Sequence, residues 1–461
     1  MAGTGGRNVE LKAVTEIKLA DAIGQLRALP VRLSDGEPPK ILTVHSAVFD
    51  VDPYREMFFF PSDTLHLTLF DSSGDVLWTR DLGPGVVPGL WFCPVFAFDL
   101  DRDGAEEIWL VDNVNDQHPL GLSGYRLERL DARTGKTTGQ WPWPSNPMQP
   151  LSHVFRNFIV GGYVRAEPVL VTAQGTYEDM HFQAWLPDMR PRWEKSIAGD
   201  APGARGSHMC PVTDLDGDGT EELMWGERCI ELDAGVELFC ADRHEYRGHS
   251  DVVEPVFDAV AGRWYIYTCR ESEQKTAPRV NLYDEHGERV WGAVDEGHID
   301  MGWVARVGEG GRKIASAIRI GEKTCGPDGR FHTDMTEFTF DAMAGEPVEL
   351  GWSTYRTVPV DLDGDGVHEF VRGRASGDGE VIDCRGERIC EIGGAVAMAS
   401  KFLDAPGEQL LSYHADGTVR IWADANAEDS PEAKLRYGHP YYQANQALTA
   451  TGYNLVALGG L

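Results

Sequence analysis

One nine-residue phrase occurs three times in this chain: Asp99–Glu107 (DLDRDGAEE), Asp214–Glu222 (DLDGDGTEE) and Asp361–Glu369 (DLDGDGVHE). Each copy has acids at positions 1, 3, 5 and 9 and glycine at position 6, with a short apolar run directly after it. Acids at alternate positions of a tight loop converge, and glycine relieves crowding where the backbone turns. Such hard oxygen donors suit Ca2+ better than zinc. The expected Ca2+ ligands are Asp99, Asp101, Asp103 and Glu107; Asp214, Asp216, Asp218 and Glu222; and Asp361, Asp363, Asp365 and Glu369. Arg102 stands where the other two copies have glycine. These are not EF-hands, because the helix-loop-helix setting and the twelfth-position glutamate are missing. Repetition favours a scaffold role over three copies of one catalytic centre, with a solvated, metal-free acidic turn as the plainer alternative. Glu106 and Glu221, at position 8, are expected to face solvent.

A second repeat defines the architecture. Short β-rich runs meet at Asp-x-x-Gly-like turns, and several end in Trp or another large apolar residue: 67–78, 125–135, 229–239, 280–291, 337–350, 381–390 and 412–422, with 182–193 as a degenerate copy. Asp and Gly tolerate the left-handed backbone of such turns. Sheet units at irregular spacing, with variable loops, predict an all-β, seven- or eight-bladed β-propeller in which neighbouring blades cover each other's apolar faces. A two-sheet sandwich is the alternative. The expected organisation is an N-terminal extension with a short helix (1–40, helix within 10–29), a single propeller domain (41–455) and a C-terminal tail (456–461). A further helix is placed at 428–438. Most of the Trp residues are assigned to blade packing.

The formal charge of −31 argues against a nucleic acid partner. It does not exclude an acidic sugar, since a local Arg/His cleft or a bound cation inverts the field at one site. No run of 18 apolar residues is present, so no membrane span is expected. The N-terminus lacks an apolar signal-peptide core, which makes the cytoplasm the default location, or an extracellular or periplasmic one if a signal peptide has been removed. Eight cysteines in 461 residues do not make a disulfide scaffold. Cys384 and Cys390 flank a hairpin and either pair or remain free thiols.

Two polar concentrations carry chemistry. His208, His249 and His298 lie at approaches to successive sheet units, with Tyr246 and Arg247 adding a proton donor and an anion-binding group. Earlier in the chain, His118, Arg156, Asn157, Tyr177 and His181 suit recognition of a uronate. For each, a loop-fixing, turn-packing or salt-bridging role is the plainer alternative. The reaction that unites these groups is β-elimination at a 4-linked uronate. Arg, Asn or a cation offsets charge on the carboxylate as the C5 proton leaves, and His or Tyr handles protons. Two rivals remain: a glycosidase using a pair among Asp251, Glu254 and Asp300, and a noncatalytic, calcium-stabilised carbohydrate-binding propeller.

At these residues the chain resembles the calcium-dependent β-propeller polysaccharide lyases, especially rhamnogalacturonan lyases and related rhamnose–uronate or ulvan lyases. The likeness is carried by His208–Gly226 (HMCPVTDLDGDGTEELMWG), GHSD at 248–251, GHID at 297–300 and YYQANQALTATGYN at 441–454. The resemblance implies Ca2+-supported, nonhydrolytic cleavage of an acidic rhamnose-containing polysaccharide or oligosaccharide, leaving an unsaturated uronyl product. It implies catalytic roles for His208 and His249. Tyr177 and His118 are plausible catalytic counterparts, and Arg156, Asn157, His181, Tyr246, Arg247 and His298 are expected to bind substrate.

Overall fold

The recurring hairpins are edges of antiparallel sheets. The computed structural model describes residues 9–34, 36–144, 150–271, 276–308, 311–373 and 379–461. Its strands form eight blades around a ring. Blade 1 consists of Gln25–Val31, Lys40–Ser46, His66–Phe70 and Val76–Asp81, and blade 2 of Val95–Phe98, Glu107–Asn113, Tyr125–Leu130 and Thr137–Pro142. Blades 3, 4, 5 and 7 follow the same order over residues 157–197, 212–240, 250–293 and 357–391. Blade 6 has three ladder strands, His298–Arg306, Lys313–Ile320 and Thr336–Asp341. A separate hairpin, Glu322–Gly326 with Gly329–Thr333, is inserted between the last two.

Blade 8 joins the two ends of the chain. Ala395–Ser400, Gln409–Tyr413 and Thr418–Asp424 are covered on their outer edge by Leu11–Lys18. The helix expected within 10–29 is therefore absent. Thr15 and Ile17 are buried while Val14, Glu16 and Lys18 are exposed, a period of two that belongs to a strand. The fold is an all-β, eight-bladed propeller, and the end-to-end strand removes the exposed edge an open ring would leave. The helix placed at 428–438 is present as Pro431–Tyr437.

The Trp and Gly repeats lock blades together. The indole N–H groups of Trp78, Trp193 and Trp291 donate to the carbonyls of Ala132 (2.8 Å), Leu232 (2.8 Å) and Ala342 (3.0 Å) in the hairpin of the next blade. The same indoles lie on Gly135, Gly235 and Gly345, where an added Cβ would come within 2.6–2.7 Å of the ring. All three glycines have positive φ, so the turn and the close approach both require glycine.

Each acidic loop joins the first and second strands of its blade, in blades 2, 4 and 7, so all three lie on one face of the ring. Position 8 stitches each loop to the preceding blade. Glu106 N donates to Arg32 O and Glu106 Oε2 accepts Arg32 N (2.7 Å). Glu221 makes the same reciprocal pair with Tyr163, and His368 with Arg306 through Nδ1. Glu221 is 7% exposed, and the side chain of Glu106 is 14% exposed. The expectation that Glu106 and Glu221 face solvent is overturned, because each carboxylate satisfies a backbone N–H that the blade junction would bury unpaired.

The C-terminal segment, including Pro431–Tyr437 and Pro440–Gln446, packs against the inner strands of several blades. Asn445 pairs with both backbone groups of Val212, Gly460 N donates to Glu254 Oε1 (2.8 Å), and Lys313 Nζ donates to Gly460 O (2.6 Å). The terminal residue, Leu461, is buried. Among the described residues no helix is long and apolar enough to cross a membrane.

Candidate active site and cation loops

The segments entering the first strands, and those joining second to third strands, lie on the face opposite the acidic loops. There a buried polar cluster forms. His208 precedes blade 4, His249 directly precedes the first strand of blade 5, in which Asp251 lies, and Glu271 directly follows the second strand of blade 5. His208 Nε2 lies 3.6 Å from both Asp251 Oδ1 and Glu271 Oε2. His249 Nε2 lies 3.8 Å from Asp251 Oδ1 and in hydrogen-bond contact with Glu271. Tyr177, on the loop between the second and third strands of blade 3, places its hydroxyl 3.2 Å from His208 Nε2 and its ring 4.4 Å from that of His249.

Cations surround this cluster. Lys323, on the hairpin inserted in blade 6, contacts Glu271 Oε1 (3.0 Å) and Asp300 Oδ1 (2.6 Å). Arg156 is buried over the Trp91 ring (4.7 Å) and pairs with Asp52 Oδ1 (3.0 Å). Arg330, on the same hairpin as Lys323, donates to the Tyr453 hydroxyl (2.8 Å) and lies 3.6 Å from Asp52. His298 contacts Glu271, and His332 lies 3.4 Å from Asp300.

Burial sets the protonation states. It pushes the His208 pKa down to about 3, aided by the charges of Arg156 and His249, so the imidazole is neutral. Burial also holds the Tyr177 hydroxyl well above its usual value. Asp251 is raised well above the carboxylate range by burial and then by Glu271 and Asp300. Glu271 goes the other way: burial alone would raise it, but Lys323 and the two histidines hold it well below.

The expected site residues divide by place. His208, His249, Tyr177, Arg156 and His298 come together. Tyr246 is fully buried, and its hydroxyl donates to the carbonyl of His249, so it positions that residue from behind. Asn157 is also buried; it accepts from Trp143 and Gln174 and donates to Phe92 O, as a strut of blade 3. Arg247 binds Gly199 O (2.7 Å), and His181 pairs with Ser196 on the outer strand of its blade. His118 is exposed on the 114–124 loop of blade 2. Glu271, Lys323, Arg330, Asp52 and Tyr453 went unassigned in the sequence, although the Gly-Pro-Asp-Gly turn at 326–329 marks the hairpin bearing Lys323 and Arg330. Glu254, a member of the expected glycosidase set, accepts from Val304 N and Gly460 N deep in the ring and is closed to that role. All eight cysteines are free thiols, Cys384 and Cys390 included.

Two kinds of donor set fit a cation. In the loops, oxygens of Asp99, Asp101 and Glu107, of Asp214, Asp216 and Asp218, and of Asp361, Asp363 and Asp365 lie within 4.8 Å of one another. Position-9 carboxylates brace each loop by accepting the position-2 N–H, as Glu107 does for Leu100, Glu222 for Leu215 and Glu369 for Leu362. Burial and then neighbouring carboxylates push Glu107 and Glu222 up to about 8. In the cluster, His208, His249, Asp251 and Glu271 offer four donors within 4.8 Å, and both Asp251 oxygens are buried without a hydrogen-bond partner. An orphaned buried carboxylate beside two imidazoles is a fit for a divalent ion.

An eight-bladed propeller with a buried His–carboxylate–Lys–Tyr cluster on one face and acidic loops on the other defines the class of this protein. In sequence and fold it is similar to β-propeller rhamnogalacturonan lyases. It is 26% identical over 268 residues to rhamnogalacturonan exolyase YesX of Bacillus subtilis (strain 168), covering 51% of this chain and 43% of the relative. The match thus spans less than half the length of that relative. Its fold matches the structure of exotype rhamnogalacturonan lyase YesX (TM-score 0.75, 18% identity, 95% of this chain and 80% of that one). It also matches the Bacillus licheniformis rhamnogalacturonan lyase PL11 (TM-score 0.73, 17% identity, 96% and 81%). No protein-family model matches the chain.

Proposed function

We propose that this protein cleaves a rhamnose–uronate linkage of an acidic saccharide by β-elimination. The observation that carries the reading is the buried meeting of Tyr177, His208, His249 and Glu271 beside Lys323 at the face where the inner strands begin. Its similarity to rhamnogalacturonan lyases supports the same reaction class. The C5–H bond breaks, a C4–C5 double bond forms and the C4–O bond breaks, with a proton passing to the departing oxygen. Tyr177, protonated at rest, gives its hydroxyl proton to the departing oxygen and takes the C5 proton in its place, and the neutral His208 beside the hydroxyl fixes where it stands. Lys323 and Arg330 supply positive charge against the uronate carboxylate as negative charge develops on it.

The set His208, His249, Asp251 and Glu271 would hold a divalent cation, which when bound offsets charge on the uronate carboxylate. In the three loops the all-oxygen donors suit Ca2+, and there its role is to brace blade junctions. The test is incubation with rhamnogalacturonan, ulvan and rhamnose-capped glucuronate substrates while following ultraviolet absorbance of the unsaturated product. Saccharide retained without turnover would instead favour a binding propeller.

A further inference from the structure

A buried ion pair, Glu227 with Arg270, joins blades 4 and 5 beside the cluster. Glu227 stands on the turn between Glu222–Trp225 and Arg228–Glu231, the second and third strands of blade 4, and Arg270 is the last residue of Arg263–Arg270, the second strand of blade 5. Both are buried, and Arg270 Nε donates to Glu227 Oε1 (3.0 Å). The other guanidinium nitrogens are also bonded: Nη1 donates to Pro278 O (3.0 Å), and Nη2 to Asp242 Oδ2 (2.6 Å) and the Tyr283 hydroxyl (2.6 Å). From this pair, bonds run to the backbone of the cluster. Ser250 stands between His249 and Asp251 in the chain, and its hydroxyl donates across the two oxygens of Glu227 (3.0 and 3.1 Å). The carbonyl of Ser250 accepts from His208 N (3.0 Å) and Ser207 Oγ (2.8 Å). Arg270 directly precedes Glu271, whose N–H donates to His249 O (3.2 Å). The Arg270 guanidinium also lies 3.9 Å from the centre of the Tyr246 ring, and Tyr246 donates to the same His249 carbonyl. Thr268 Oγ1 donates to Glu227 Oε1 as well (3.3 Å), but Thr268 adjoins no member of the cluster in the chain. Replacing a buried ion pair by well-packed apolar residues is often neutral for stability. What this pair supplies is a fixed place for the strand ends that carry the cluster, and displacing a reacting group by about an ångström costs rate steeply.

We propose that Glu227, paired with Arg270, is a positioning residue of the cluster. Through Ser250 it fixes where His208, His249 and Asp251 stand, and through Arg270 it fixes Glu271. The kinetic effect rests on the lyase reading, but the placement of the histidines is read without turnover, so the two stand or fall separately.

The experiment compares wild type, Ser250→Ala, Thr268→Val and Glu227→Gln in the full chain, after thermal transitions show which of them are folded. Ser250→Ala and Thr268→Val each remove one hydroxyl from Glu227 and keep the ion pair; only Ser250→Ala frees the cluster. Turnover of a rhamnose–uronate oligosaccharide gives kcat and KM. The ring nitrogen-15 resonances of histidine-labelled protein, with His208 and His249 assigned by substitution, report how those rings stand. Ser250→Ala is expected to lower kcat by roughly tenfold or more, with KM within about twofold of wild type, and to move both resonances. Glu227→Gln, where folded, is expected to do the same, and Thr268→Val to leave kcat and both resonances near wild type. A Ser250→Ala protein with wild-type kcat or unmoved resonances overturns the proposal, as does a folded Glu227→Gln protein that matches wild type or a Thr268→Val protein changed as much as Ser250→Ala. If the wild type forms no unsaturated product, the lyase reading falls and the resonances decide alone: movement in Ser250→Ala but not in Thr268→Val sustains the positioning role, and any other pattern overturns it.

Discussion

The hydroxyl of Tyr177 stands 3.2 Å from Nε2 of His208, although the two residues come from successive blades and lie 31 positions apart. Neither blade builds the pair alone; ring closure brings it together. The contact separates a chemical role from a packing role. Tyr177→Phe keeps the ring against His249 and Arg156 and removes only the hydroxyl. Turnover is expected to fall by about 10²–10⁴-fold with the melting temperature little changed. A variant with wild-type turnover would exclude proton transfer at Tyr177.

Asp251 is buried with both carboxylate oxygens unbonded. Asp251→Asn is expected to lower the number of tightly bound divalent ions by one, read by elemental analysis after dialysis, and to abolish most turnover. Unchanged metal content would show that the cluster stands without an ion.

The acidic loops are expected to act on stability. Asp218→Asn should reduce the Ca2+-dependent rise in melting temperature while leaving turnover of the folded protein near wild type at saturating Ca2+. One occupied site at a hundredfold excess over its Kd contributes about 2.7 kcal/mol. A loop that served catalysis would lose turnover instead.

The blade locks are testable by matched glycines. Gly235 and Gly262 both have positive φ, but a Cβ on Gly235 would meet the Trp193 ring at 2.7 Å, and one on Gly262 would meet nothing within 4 Å. Gly262→Ala is expected to cost about 1 kcal/mol from backbone strain alone. Gly235→Ala should cost about 1–3 kcal/mol more, since the indole must move off its carbonyl partner. Equal losses in denaturant melts would dismiss the lock.

Glu254 grips the C-terminal segment from inside the ring. Burial raises its pKa to about 8, against the opposing charges of Lys313 and Arg436, and burial together with Arg306 and Arg436 lowers Lys313 to about 7. The folded state therefore holds the Glu254 proton between its unfolded pKa, about 4.5, and about 8, where the unfolded chain has released it. That contribution to stability is full below the lower value and is lost as pH rises to the upper one. Relative to Glu254→Gln, the wild type should lose melting temperature across that interval. A pH-independent difference would place the Glu254 pKa near its ordinary value.

The propeller was legible in the sequence because each blade repeats a local necessity: a turn needing Asp and Gly, and an aromatic that lies on the next glycine. Blade count was left at seven or eight because the closing strand, Leu11–Lys18, pairs with residues some 400 positions away and carries no turn signal of its own. Its polar, half-exposed face also reads as a helix. Glu106 and Glu221 were misplaced because a carboxylate on an acidic loop gives no sign of a backbone partner in another blade. His208 and His249 were visible as polar residues at blade entrances, and Tyr177 as one of an earlier polar group on a blade loop. Lys323 and Arg330 were not, since only the folded hairpin carries them over the ring mouth to Glu271 and Tyr453.

The most direct test of the central claim is cleavage of a rhamnose–uronate oligosaccharide in water enriched with heavy oxygen, followed by mass analysis of both products. Elimination adds no water across the bond, so the expected result is one unsaturated uronyl fragment, one intact fragment and no label in either. A labelled, saturated product end would make the protein a hydrolase and contradict the account.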